Sequence, residues 1–382
     1  MEASVYLHIP FCTQKCDYCD FYSVPLAYWG TYEGFCRTLL KELRQNIEEF
    51  SIDRVPTLYI GGGTPSLLGA RQLETLLVSL QHLLPTWPEE CTLEANPESL
   101  DASILQVCKD SGITRLSLGI QTLTDQSRQA VHRLGSAYQC LSSLEQALYF
   151  YPEGLSIDLM TGLPFQTVDT LVSDLETLAP YPIAHVSLYA LTVEEGTPLA
   201  QRLAAREQML PGAEYQEELW LAGRDWLVSH GFDQYEVSNF ARSGAICKHN
   251  MRYWQMQSWI GCGPSASTTM IDEKRGRALR RTVAEDVAGY CARGPRYREE
   301  PIDRETLQKE CLMMGFRTIQ GPDPKLFEQR FGLSVEAAIP RTLEIWRRRG
   351  LCEKHRPALT PQGLRYANTF IVECFQELEK GR

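Results

Sequence analysis

Three cysteines near the start of the chain, Cys12, Cys16 and Cys19, stand at C-x3-C-x2-C spacing. Thiolates are the ligands that iron–sulfur clusters select, and one short loop lets three of them converge on a single centre. Common clusters take four cysteines, so three leave one iron open to a small molecule. The competing reading is structural zinc, which wants four ligands, often as two C-x2-C pairs or with histidines. No second C-x2-C pair occurs in the chain. A stretch of three glycines, Gly61-Gly62-Gly63-Thr64-Pro65, lacks the G-x4-G-K-S/T pattern of a phosphate loop. It suits close approach of backbone to a ligand, or a plain tight turn.

Those residues need elements to carry them. Val5-Tyr6-Leu7 reads as a strand leading into the cysteine loop, and Thr31 to Phe50 has helical periodicity. Further strands are predicted at Thr57–Ile60, Cys91–Ala95, Thr114–Gln121, Leu155–Met160 and His185–Ala190. Helices are predicted between them, at about 70–84, 99–111, 125–133, 139–150 and 168–178. This alternation implies parallel βαβ units with right-handed crossovers, and six units make an open, partial barrel. In such barrels active sites form where strands end. The cysteines, the triple glycine, Glu94, Gln121, Asp158 and Tyr189 all fall at those ends. Glu94, Gln121, Arg133 and Asp158 are each ordinary rim residues when taken singly. Together they offer acceptors for an ammonium and hydroxyls, and a cation for a carboxylate.

The pattern changes after Tyr189. A long amphipathic helix is predicted from Gly212 to His230, then His249-Asn250-Met251-Arg252-Tyr253-Trp254, then short helices from about Pro301. The expected fold class is α/β, with a barrel domain over residues 1–235. A connecting segment carrying the histidine motif follows at 236–300, and a smaller, mostly helical, winged-helix-like domain at 301–382.

Composition is that of an ordinary globular protein, with no apolar run of membrane-spanning length and no signal peptide pattern. The formal net charge of −10 argues against a nucleic-acid surface. Thirteen cysteines without a disulfide rhythm suit a reducing cytoplasm.

The cysteine spacing after an N-terminal strand resembles the radical S-adenosylmethionine (SAM) superfamily. The resemblance implies a [4Fe-4S] cluster on Cys12, Cys16 and Cys19, with SAM on the open iron and Tyr18 packing against its adenine. A closer resemblance lies in Tyr6–Cys12, Gly61–Pro65, Glu94-Ala95-Asn96-Pro97, Ser117–Gln121 and Asp158–Pro164. These are similar to the oxygen-independent coproporphyrinogen III oxidase (HemN) family, nearly end to end. By that analogy Tyr6, Gly62, Gly63, Thr64, Glu94, Gln121, Arg133, Asp158 and Ala190 fall where the family contacts SAM.

The chain starts almost on the cluster strand, and Cys19 is followed by Asp20-Phe21 rather than a further cysteine. Both features resemble the heme-chaperone (HemW-type) branch of the family, as does the match to its H-N-x-x-Y-W motif at His249–Trp254. A neutral imidazole is a usual heme ligand, so His249 is the candidate axial ligand, against the plain alternative of a structural histidine. Two departures stand out: His132-Arg133-Leu134-Gly135 where the branch has Gly-Arg-x-His, and Ser267 where it commonly has histidine. The resemblance implies a cytoplasmic chaperone that binds heme and passes it to an acceptor protein, with room for transient contact with a membrane protein. The alternatives are a coproporphyrinogen III oxidase, or a radical SAM enzyme with an unrelated substrate.

Overall fold

A computed structural model describes residues 1–25 and 32–380. Six parallel strands form its centre: β1 (Ser4–Ile9), β2 (Thr57–Gly62), β3 (Glu90–Ala95), β4 (Arg115–Gln121), β5 (Leu155–Thr161) and β6 (His185–Ala190). They lie side by side in chain order. Helices α1 (Glu33–Glu49), α2 (Gly69–Leu83), α3 (Ala102–Asp110), α4 (Ala137–Phe150) and α5 (Val168–Leu178) cross between them, and α6 (Ala213–Ser229) follows β6. The expected helix from Thr31 therefore starts at Glu33; Thr31 itself lies outside the described residues. The helix expected from Ser99 starts three residues later. The Asp101 carboxylate accepts the Ile104 N–H at 2.9 Å and so caps α3 there. The helix expected to run to Arg133 stops at Ala130, because the chain turns at His132, whose φ is +50°.

The stretch 236–300, expected to carry the histidine motif and to connect, supplies most of both flanks of the sheet. After the two-residue β7 (Asp233–Gln234), β8 (Asn239–Ala241) pairs antiparallel with β6. On the other side β9 (Trp259–Cys262) runs parallel to β1, in register Ser4 with Trp259. The antiparallel strands β10 (Ser267–Asp272), β11 (Arg277–Val283) and β12 (Tyr297–Ile302) extend that flank. These additions cover edges that would otherwise expose unpaired backbone. Among the described residues the sheet holds 12 strands, with β7 and β12 at its open edges.

Helices from Arg304 to Lys380 build a second core on Leu312, Phe316, Phe327, Trp346 and Phe370. No helix among the described residues is long and apolar enough to cross a membrane.

Side chains alternate along each central strand. In β4, Leu116, Leu118 and Ile120 are fully buried in the main core, whereas Arg115, Ser117, Gly119 and Gln121 line an internal cavity. Leu118→Ala is expected to destabilise the protein by about 3 kcal/mol, through lost apolar burial and the cavity left behind; chemical denaturation reads this directly.

Candidate functional site: a thiol-bearing rim above a polar cavity

Phe11-Cys12 forms a short parallel pair with Val24-Pro25, which closes the base of the cysteine loop. The triple glycine then docks onto it: Gly63 N–H donates to Ile9 O at 2.8 Å and Thr64 N–H to Phe11 O at 2.7 Å. The fit tolerates no side chain. A Cβ on Gly63 would lie 2.6 Å from Phe11 O, and one on Gly62, at φ +108°, would lie 2.5 Å from the His8 ring. His8 is buried and bonded at both nitrogens, to the Tyr6 hydroxyl and to Tyr22 O.

A chain of hydrogen bonds joins two of the three thiols, Cys12 and Cys16, around the rim. Thr64 Oγ1 donates to Cys12 Sγ at 3.8 Å, and Asn96 Nδ2 donates to Thr64 Oγ1 at 2.9 Å. Arg133 closes the circuit, donating to Asn96 Oδ1 at 2.7 Å, to Gly119 O at 2.6 Å and to Cys16 Sγ at 3.6 Å. Its buried Nε has no partner. The back of the loop is held by Asp17, which sequence reasoning did not single out. Its carboxylate accepts from His132 Nδ1 at 2.9 Å and from Arg202. Its backbone bonds Val131 O and Leu199 N–H. No pattern in the sequence links Asp17 to residues 115 and 185 positions away.

Beneath the rim lies a cavity of about 390 Å³. Of the expected site residues, Cys16, Cys19, Tyr18, Gly62, Gly63, Thr64, Glu94, Gln121, Arg133, Asp158 and Ala190 line it. Cys12 is joined to them through Thr64, and Tyr6 through the neighbouring ring of Tyr59, 6.1 Å away. Gln121 holds φ +67°, rare for a side chain of its kind, where the β4–β5 register shifts.

Burial pushes Glu94 up to about 7, opposed by bonds from the Tyr59 hydroxyl (2.6 Å) and Gly62 N–H (3.0 Å). Asp158 is raised by burial too, and accepts from Ser117 Oγ at 3.2 Å. Burial likewise raises the thiols of Cys12 and Cys19, the latter to about 11. A cation is needed to hold them as thiolates, which suits iron. Among the described residues no three His, Cys, Asp or Glu side chains converge on one metal ion. A multi-iron cluster asks for less, since each iron it binds through cysteine takes only one thiolate.

His249 is not brought to the cavity. It is 1% exposed, and both ring nitrogens are engaged, Nδ1 with Thr57 Oγ1 at 2.8 Å and Nε2 with the Tyr253 hydroxyl at 3.2 Å. Burial lowers it to about 3, so the ring is a neutral structural element. In this arrangement His249, like a structural histidine, has no free ring nitrogen to offer a heme iron. The motif's histidine and tyrosine pack within the fold, against Tyr59 and Trp259, while Asn250 lines the cavity.

Six parallel βα units, three loop thiols and a ligand cavity at the strand ends define a radical SAM protein, and the family model of the radical SAM superfamily matches residues 6–178. The heme chaperone HemW of Bacillus subtilis (strain 168) is 31% identical over 384 residues, 98% of this chain and 100% of that one. HemW of Lactococcus lactis is 33% identical over 87% of this chain and 86% of its own. A mouse protein described as radical SAM domain-containing protein 1, mitochondrial, is 37% identical over 90% and 75%. Among solved structures, coproporphyrinogen III oxidase (HemN) of Escherichia coli superposes with a TM-score of 0.81 at 20% identity, covering 98% of this chain and 90% of that one. The chain belongs to the HemW/HemN-like family of radical SAM proteins.

The raised pKa of Glu94 sets a pH dependence. A carboxyl whose folded pKa lies above its ordinary value of 4.5 favours folding while protonated, and that contribution is lost as pH rises through about 7. Wild-type stability is therefore expected to fall more steeply than that of Glu94→Gln between pH 5 and 8, read by urea denaturation.

Proposed function

We propose that this protein is a heme chaperone of the cytoplasm, which binds heme and passes it to an acceptor protein. The observation that carries the reading is its similarity to proteins described as heme chaperones, at 31–33% identity over most of both chains. Asp20 and Phe21 after the third cysteine, where the oxidases have a further cysteine, also favour it over the oxidase reading.

In this reading Cys12, Cys16 and Cys19 hold three irons of a [4Fe-4S] cluster and leave the fourth to SAM. When bound, the cluster supplies an electron and an open coordination site. The chain's own residues do the rest. Arg133, fixed by Asn96 and Gly119 O, offers positive charge to the SAM carboxylate and to the Cys16 sulfur. Glu94 and Asp158 offer negative charge to an ammonium and acceptors to ribose hydroxyls, and a cation there draws Glu94 to its ionised form. Tyr18 offers a flat apolar face to adenine. The glycines let the ligand reach the backbone at the end of β2. Heme is assigned no ligand at His249, whose ring nitrogens are both taken.

Anaerobic reconstitution with iron and sulfide, followed by hemin titration and a coproporphyrinogen III turnover assay on one sample, tests the proposal. Saturable heme binding without turnover is expected. Turnover to protoporphyrinogen would make the protein an oxidase, and absence of saturable heme binding would end the chaperone reading.

A further inference from the structure

The cavity continues below the layer of Glu94 and Asp158. Its floor is made by Thr92, Arg115, Ser156 and His185, and Cys247 and Asn250 close it. Most of this floor is chemically complete. His185 bonds Ser156 Oγ at 2.7 Å and the Tyr235 hydroxyl at 2.8 Å. Two members are not complete. Thr92 and Arg115 are opposite partners on β3 and β4, 0% and 8% exposed. Arg115 gives Nε to Glu90 at 3.2 Å, and Nη2 to Ala245 O at 2.8 Å and Ile246 O at 3.2 Å. Its Nη1 has no partner, and neither has Thr92 Oγ1.

Glu90 does not leave that guanidinium for want of bonds. It already accepts the backbone N–H groups of Lys248 and His249 besides Arg115 Nε. Buried polar groups in native proteins are almost always paired, and an unmade bond to a charged donor is among the costliest to leave. Here one charged donor and one hydroxyl, both without partners, stand at paired positions of adjacent strands, whose axes run about 4.8 Å apart. The group that satisfies an N–H and an O–H so placed is one bearing two acceptor oxygens on one carbon.

We propose that Thr92 and Arg115 form a carboxylate-binding subsite at the cavity floor, which takes the acid end of a slender ligand entering from the rim. Along β4, Arg115 lies six residues before Gln121, about 20 Å. A two-carbon acid arm on a flat macrocycle held at the rim does not span that distance, so the occupant is a narrow carboxylic acid. The placement beneath SAM rests on the reading of SAM at the rim; the floor itself does not.

Propionate is the probe, titrated calorimetrically into cluster-reconstituted protein with and without SAM. Saturable binding in both states is expected, with propionamide at least about tenfold weaker. Thr92→Val is expected to weaken propionate about tenfold, the loss of one charge-assisted hydrogen bond. Its thermal midpoint should equal or exceed that of wild type, since the hydroxyl has no partner within the protein. A structural role would show as a fall in midpoint and would overturn the proposal. Absence of saturable binding, or equal affinity in Thr92→Val, would overturn it too. Binding without SAM that SAM abolishes would give the floor to SAM's own carboxylate and overturn a separate ligand, while leaving the radical SAM assignment intact.

Discussion

Three thiols on one loop serve a cluster only if the loop cannot relax away from it. The hydrogen-bond circuit from Cys12 through Thr64, Asn96 and Arg133 to Cys16 supplies that restraint, and most of the rim is arranged to maintain it. Glycines at 62 and 63 are required because the backbone ends of β1 and β2 must touch. Gly119 leaves its carbonyl and its open face to Arg133. The short helix before His132 ends early, which puts His132 on Asp17 and Arg133 on Cys16 from adjacent positions of one turn. A guanidinium near thiolate sulfurs is also the sensible electrostatic neighbour, since it favours the charged form that binds metal.

The interior below follows from the same strands. A parallel sheet covered on both faces normally reads as continuous apolar residues. Here the central strands alternate, with leucines and isoleucines outward and polar residues inward, so the barrel is hollow and its inner surface is stacked in layers. Burial raises both carboxyls of the middle layer, Glu94 to about 7, so Glu94 shares its proton near neutrality and leaves charge in reserve for a cationic ligand.

Much of this was legible in the sequence because it is local. The strand–helix alternation, the cysteine spacing and the glycine turn each lie within a few residues, and the strand ends collect the polar residues on one rim. What escaped reading was long-range. The pairing of β9 with β1 joins Trp259 to Ser4, and no local periodicity announces it. Asp17 reads as a spacer between two cysteines until His132 and Arg202 arrive from other units. His249 carried a ligand's chemistry, but its neighbours Thr57 and Tyr253 consume both nitrogens.

The claim on which all of this depends is that the loop holds a cluster with one iron open to SAM. Electron paramagnetic resonance of the reduced, reconstituted protein, recorded with and without SAM alongside an iron count, tests it most directly. The account predicts about four irons per chain, a signal that SAM changes, and loss of both iron and signal in Cys16→Ser. A signal indifferent to SAM, or a Cys16→Ser protein that keeps its iron, would contradict it.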